Sequence, residues 1–586
     1  MSSLDKPSTL TGDWELVRRM MRYVGAHKRL FVTTLILYPI SAASVVIPPW
    51  LVAQMLDVAV PNRDLDLLGT LAWVYLVALG VDYASGFFSQ YLMTVLGQRS
   101  MKSLRSDCFA KVQRLGASYF DRNPTGRILT RLTNDVEALA EFFSSGAVTM
   151  LSDLITVAAI VGMMVWIDVR MTLFAFVVVP PLILITWGFQ RLARRAFRAV
   201  RRHLSRINGF LAEHLAGMNV VQVFGQEQRT AEEFYELNDA YRNANRSAIV
   251  FDASLYAVVE AIATAAVAVM IWNGAVDMST GAVGAGTLVA FIQYIRRFFI
   301  PVRDLALKYT LLQSAFAAAE RIFQLIDEPV LIQSEPDAPK PRRLQEGIEL
   351  RDVWFSYRTP EDWVLQGLNL KVRPGEHVAL VGPTGSGKTT ILKLLNRLYD
   401  VQRGQVLLDG QDVKSLDLTS MRRLFAVVLQ DVHLFTGTVM ENLSLHGSVS
   451  PERVKEAAKV VQAHDFIERL PKGYATSVQE YGSNFSAGER QLLAFARALA
   501  IDPEVLVLDE ATSNVDLQTE ARLQRGLREL MKDRTALIVA HRLSTVREVD
   551  RIVVLQHGHW VEEGNHATLM RKGGLYAKLA SLQFEA

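Results

Sequence analysis

The short β-rich run His377–Val381 leads into Gly382-Pro383-Thr384-Gly385-Ser386-Gly387-Lys388-Thr389 and then into the helical run Thr390–Leu398. Strand, glycine loop and helix start, in that order, make a cradle for phosphate. Glycines let backbone N–H groups converge on phosphate oxygens, and the field at a helix start favours an anion. In such a loop Lys388 reaches the β- and γ-phosphates and Thr389 ligates Mg²⁺. The candidate nucleotide set is therefore Gly382, Thr384, Gly385, Ser386, Gly387, Lys388, Thr389 and Thr390. Far downstream, Val505-Leu506-Val507-Leu508-Asp509-Glu510 ends an apolar strand on two carboxylates. Position gives them different jobs: Asp509 holds Mg²⁺ through water, and Glu510 orients or deprotonates a water attacking the γ-phosphate. A strand ending in Asp-Glu is weak evidence by itself. Beside the phosphate loop it points to hydrolysis of a nucleoside triphosphate.

The elements that position these groups occupy only the later part of the chain. From Gly347 onward, β-rich runs such as Val378–Val381 and Val505–Leu508 alternate with helical patterns, as in a mostly parallel sheet built from strand–helix units. The earlier part has another texture. Leu30–Leu56 and Met171–Gln190 contain no charged residue, and Leu67–Gln98 contains only Asp82. Six stretches, at 30–53, 67–92, 145–167, 170–190, 251–276 and 283–307, supply the apolar residues (about 20 each) needed to cross a hydrocarbon core of roughly 30 Å. Glu260 and several arginines interrupt the last two.

Lys and Arg in short loops are retained on the cytoplasmic side. Arg99, Lys102, Arg105, Lys111, Arg114, Arg122, Arg127 and Arg131 lie between spans two and three, and a stripe beginning at Arg191 and Arg194 follows span four. The loop 277–282 has neither residue type. Both termini and both long loops are thus expected in the cytoplasm. Segments 99–118 and 191–245 read as helices that extend the spans, joined by turns near Asn123–Gly126 and Phe224-Gly225. Pro329, Pro336, Pro339 and Pro341 mark a linker. The expected organisation is a transmembrane domain at 1–320, a linker at 321–346 and a nucleotide-binding domain at 347–586.

The 586 residues carry 63 Lys+Arg against 60 Asp+Glu, a net +3 that argues against a nucleic-acid partner. Half are apolar and the mean hydropathy is +0.17, high for a soluble protein. A single cysteine, Cys108, excludes an intrachain disulfide and a thiolate metal cluster. The polar N-terminus through Thr11 lacks the apolar core of a cleavable signal peptide.

Phe485-Ser486-Ala487-Gly488-Glu489-Arg490-Gln491 resembles the LSGGQ signature of ATP-binding cassette exporters. Further matches follow in the family's order. Tyr357 looks like the aromatic that stacks on adenine, and Gln430 like the Q-loop residue that helps hold Mg²⁺. Ser513–Asp516 looks like the D-loop, and His541 like the switch histidine at the γ-phosphate. The resemblance covers essentially the whole chain and implies an all-α six-helix transmembrane domain followed by an α/β P-loop NTPase domain. It also implies two cassettes sandwiching ATP and Mg²⁺ head to tail, with Ser486 and the Gly488 backbone of one facing the phosphates of the other. The working unit is then a homodimer or a heterodimer with a related half-transporter. It is expected to export hydrophobic or amphipathic compounds, drug-like molecules or lipids, and the orientation and the lack of organellar targeting point to a bacterial inner membrane. An ATP-gated channel or regulatory subunit is the alternative.

Two departures from the signature stand out. Ala487 replaces a glycine, tolerable only at negative φ, and Glu489 replaces a glutamine, bringing a negative charge that Arg490 is placed to offset. The turns Tyr119–Gly126 and Ala216–Glu227 resemble the loops that couple cassette to membrane. Asp82 and Glu260 are the substrate candidates, because charges inside spans are costly. The stronger reading of both is as water-exposed residues of helices that leave the bilayer.

Overall fold

The computed structural model describes residues 10–177, 179–279, 283–358, 362–509, 517–540 and 543–584. The chain forms two compact units. One runs to Val112 and resumes from Gly126 to Asp327; the other combines Gln113–Thr125 with the chain from Glu328 onward.

The first unit is helical. Helices α1 (Leu10–Gly25), α2 (Lys28–Gln54) and α3 (Leu65–Arg114) open it, and the short α4 (Ala117–Arg122) belongs to the second unit. After it come α5 (Ala147–Ile167), α6 (Val169–Phe176), α7 (Val179–Ala216), α8 (Met218–Val223), α9 (Glu227–Ser279) and α10 (Ala285–Asp327). Expected spans one, two, three and five fall on helix throughout among the described residues, and span six does so from Ala285 onward. Among the described residues, four helical stretches are long and apolar enough to cross a membrane: Lys28–Ala59, Leu65–Arg114, Thr125–Ile167 and Glu227–Ser279. Span four falls short because it is divided between α6 and α7 near Pro180-Pro181, where proline suits a helix start. Span six falls short because Arg296, Arg297, Arg303 and Asp304 dilute it.

Length alone carries these helices out of the bilayer. At 1.5 Å per residue the 50 residues of α3 reach about 75 Å, more than twice the hydrocarbon thickness. The predicted turn after α8 is present, with Gly225 at φ +60°. On α7, Arg195, Arg198, Arg201, Arg202 and Arg206 are exposed, as a topology-setting stripe requires. Helix α10 is fixed at both ends. At its start, Asp57 accepts hydrogen bonds from the Gly286 and Thr287 N–H groups (2.6 and 2.8 Å) and from the Thr287 hydroxyl (2.8 Å). Only glycine fits at 286, since a Cβ there would lie 2.5 Å from the Ala53 carbonyl oxygen. At its end, Asp327 receives both Nη atoms of Arg19, whose guanidinium lies 4.1 Å from the Phe323 ring centre.

The second unit holds a four-stranded antiparallel sheet and a six-stranded, mostly parallel one. The first is made by β1 (Ile348–Phe355), β2 (Leu365–Val372), β4 (Arg403–Leu408) and β5 (Gln411–Asp412), in the order β2-β1-β4-β5. The second contains β3 (His377–Val381), β6 (Phe425–Val428), β7 (Val505–Asp509), β8 (Thr535–Val539), β9 (Arg551–Gln556) and β10 (His559–Gly564). Its order is β10-β9-β3-β8-β7-β6, antiparallel only at the β10 edge. Every residue of β7 and β8 is buried, which is why they read as unbroken apolar runs rather than as alternating ones. The register pairs Val539 with Leu380 and with Asp509, and Leu508 with Val428. That register brings the C-terminal ends of β3, β7 and β6 to one edge, where ligands of parallel sheets bind.

Candidate functional site

At that edge β3 gives way to the glycine loop and then to α11 (Lys388–Leu395). Gly385 and Gly387 have φ of +82° and +99°, a left-handed backbone that favours glycine, and Gly387 starts the helix without a side-chain cap. A Cβ on Gly382 would lie 2.2 Å from the Leu555 carbonyl oxygen, so the loop is pressed against β9. Lys388 is buried, and its Nζ donates to the carbonyls of Gly382 (2.8 Å) and Pro383 (2.9 Å). Burial pushes its pKa down, against the opposing pull of Asp509. The Ser386 hydroxyl is buried with no hydrogen-bond partner among the described residues. An uncapped helix start, an orphaned hydroxyl and a lysine satisfied, among the described residues, by neutral carbonyls fit a bound polyphosphate.

Thr389 and Asp509 meet here from positions far apart in the chain. The Thr389 hydroxyl donates to the Asp509 carboxylate at 3.2 Å, giving two hard oxygen donors suited to Mg²⁺. Gln430 is exposed two residues beyond β6, the strand beside β7. Glu510, Ser513–Asp516 and His541 lie outside the described residues. Thr384 is exposed at the loop tip, and the hydroxyls of Thr390 and Tyr357 share a hydrogen bond at 3.1 Å. The Tyr357 ring is 40% exposed, so it offers a stacking face while its hydroxyl is anchored.

The signature segment stands at the start of α12 (Ala487–Ala500). Ser486 caps this helix: its hydroxyl accepts from the Glu489 N–H (3.3 Å), and the Glu489 carboxylate accepts from the Ser486 N–H (2.9 Å). The same carboxylate accepts a hydrogen bond from the Ser486 hydroxyl at 2.9 Å. Ala487 is the first helical residue and is not among the left-handed positions, so no strain attaches to it. Gly488 is buried. Arg490 does not offset Glu489 as expected; its Nη1 donates to the Phe485 carbonyl at 2.7 Å. The capping box, rather than an ion pair, holds that carboxylate.

In the first unit, Asp82 is half-buried on α3, close enough to Arg297 for their charges to interact. Glu260 is exposed on α9 with no polar partner among the described residues. Asp153 pairs instead with Lys308 of α10. Sequence reading missed Tyr399, which stands edge-on to Tyr357 (5.2 Å between ring centres, 89°). Its only signal was an aromatic shortly after α11.

Residues 31–302 match the family of the ABC transporter transmembrane region, and residues 365–513 match the ABC transporter family. A fatty acid ABC transporter ATP-binding/permease protein of Mycobacterium tuberculosis is 38% identical over 90% of this chain and 82% of that protein. An ATP-dependent lipid A-core flippase of Syntrophus aciditrophicus is 33% identical over 99% of this chain and 97% of that one. The solved structure of a bacterial Atm1-family ABC exporter with ATP bound is similar at a TM-score of 0.78 and 27% identity, covering 95% of this chain and 98% of the other. The chain therefore belongs to the ABC transporters, with its membrane region and its cassette fused in one polypeptide that couples ATP hydrolysis to transport.

Proposed function

We propose that this chain is one half of a dimeric exporter that drives hydrophobic or amphipathic compounds, lipids foremost, out of the cytoplasm across a bacterial inner membrane. The observation that carries the reading is the meeting of Thr389 and Asp509 beneath the glycine loop, on the same polypeptide as helices long and apolar enough to span a bilayer. Backbone N–H groups of residues 385–388, the Ser386 hydroxyl and Lys388 bind the phosphates, and Tyr357 stacks on the base. Thr389, Asp509 and Gln430 hold Mg²⁺, which supplies charge neutralisation at the β- and γ-phosphates. Glu510 takes the proton of the attacking water, and His541 contacts the γ-phosphate. Ser486 and Gly488 of a second copy, or of a related half-transporter, close the site from the other side.

The turns at α4 and α8 pass closure of the cassettes to the long helices as rigid-body rotation. Val220, Val223 and Phe224 are 60%, 79% and 70% exposed, an apolar tip that suits docking onto a cassette. Lipids lead the substrate class because the two relatives described above are named for fatty acid and for lipid A-core.

The test is ATPase activity of the purified full chain in lipid nanodiscs, with oleate, lipid A and ethidium as probes and the particle mass measured on the same sample. A dimer is expected, stimulated by a lipid probe more than by ethidium, with kcat reduced about 100-fold or more in Glu510→Gln. Unchanged turnover in that variant would sink the catalytic assignment.

A further inference from the structure

Behind the glycine loop, residues from distant parts of the sequence form one continuous contact. Tyr357 is anchored through its hydroxyl to Thr390 on α11, and its ring meets the ring edges of Phe355 (4.9 Å) and Tyr399 (5.2 Å). The ammonium of Lys393 lies 5.2 Å from the Tyr357 ring centre and 5.9 Å from that of Tyr399. Tyr399 is buried at 8% exposure, and its hydroxyl donates to the carboxylate of Asp121 in α4. Helix α4 is part of this compact unit, with Ala117 packed on the core that contains Tyr399. Burial and the Asp121 charge hold the Tyr399 phenol above its ordinary pKa, so it stays a donor.

Phosphate chemistry does not require this arrangement. A phenylalanine would fill the space behind Tyr357 equally well, but only a phenol both braces that ring and bonds Asp121. Edge-to-face rings fix each other's tilt. A base stacked on the exposed face of Tyr357 therefore presses on Tyr399, and a shift of Tyr399 changes its reach to Asp121.

We propose that Tyr399 is a positioning residue through which base occupancy at Tyr357 sets the position of α4, an inference that rests on the reading of Tyr357 as the base-stacking residue. The coupling is reciprocal: a change in where α4 sits alters how well the base is held. Occupancy of the phosphate loop alone is then an incomplete signal to the membrane helices.

The experiment uses the full chain in nanodiscs, spin-labelled at Arg63→Cys and Val169→Cys, both exposed, while the buried Cys108 is left in place. The distance change produced by ATP plus vanadate and the KM for ATP are read on the same samples. Tyr399→Phe and Asp121→Asn are each expected to reduce the distance change about threefold or more, and the double variant no further than either single one. KM is expected to shift by no more than about threefold in all three, the reciprocal effect of the coupling removed. A full distance change in both single variants overturns the proposal, as does an additive loss in the double. So does a KM raised about tenfold in Tyr399→Phe with an unaltered distance change, which would make Tyr399 a mere prop. Tyr357→Ala separates the two layers of inference. An unchanged KM there removes the base-stacking reading together with the proposal, whereas a raised KM with full movement in the Tyr399 and Asp121 variants removes the proposal alone.

Discussion

The cassette contains two helix starts assigned to phosphate, and they are finished in opposite ways. Helix α11 begins at Gly387 without a side-chain cap, next to a Ser386 hydroxyl and a lysine that, among the described residues, have respectively no partner and two carbonyls. Helix α12 begins with a complete capping box, in which the Glu489 carboxylate takes both the N–H and the hydroxyl of Ser486. A helix start leaves backbone donors without intrahelical partners, and something must meet them. In α11 an external anion is left to do so; in α12 the chain supplies its own. Under the proposed sandwich, the first half-site is preorganised for nucleotide, while the second exchanges its own carboxylate for a phosphate when two cassettes close. On that reading the glycine loop sets whether ATP binds, and the signature segment sets how readily the sandwich forms.

Lys388→Ala strikes this contrast hardest. It removes the cation of the open half-site, and ATP binding measured by equilibrium titration should weaken about 100-fold or more, the loss expected for a charge-assisted contact with phosphate. Retained affinity would mean that the backbone cradle suffices. Ser486→Ala comes next: loss of the cap should cost about 1 kcal/mol in a thermal melt. Its kcat/KM should drop about tenfold or more, because the same hydroxyl serves the opposite site. A melt shift without a kinetic one would confine Ser486 to capping.

Glu489→Gln is the finer probe. Glutamine can still complete a capping box, so stability should hold, while removal of the competing charge should lower the KM for ATP about threefold. A KM that rises instead would show that the carboxylate assists closure. The smallest effect belongs to Ala487→Gly, which restores the residue usual in the signature. It should destabilise the protein by no more than about 1 kcal/mol and leave turnover alone, since the backbone at Ala487 is already helical. Faster turnover would argue that a side chain at 487 obstructs the partner cassette.

What was legible in the sequence is what is local. The glycine loop, β7 ending on Asp509 and the helix after Ser486 are each written in consecutive residues, and their roles follow from short-range geometry. Even the capping box was on view as Ser486-x-x-Glu489, yet Glu489 reads as a defect when set against a motif and as a cap when set against backbone donors. The bond from Tyr399 to Asp121 joins residues 278 positions apart and had no local signature. The grouping of Gln113–Thr125 with the cassette was legible in part, since the turn Tyr119–Gly126 resembles a coupling loop, but a linear boundary cannot show how much of the chain goes with it. Span six was hard to delimit for a physical reason, since Arg297 answers to a backbone carbonyl of α2 and Lys308 to Asp153 rather than to lipid.

The three hydrogen bonds that Asp57 receives from the start of α10 have a mechanical consequence. They rivet α2 to α10 at the end opposite the one that leads into the cassette, and the missing side chain at Gly286 leaves no play in the joint. Tyr294 and Arg297 of α10 donate to the backbone carbonyls of Val46 and Val45 on α2, so the tie continues for about three turns from that end and the two helices form one strut rather than two independent rods.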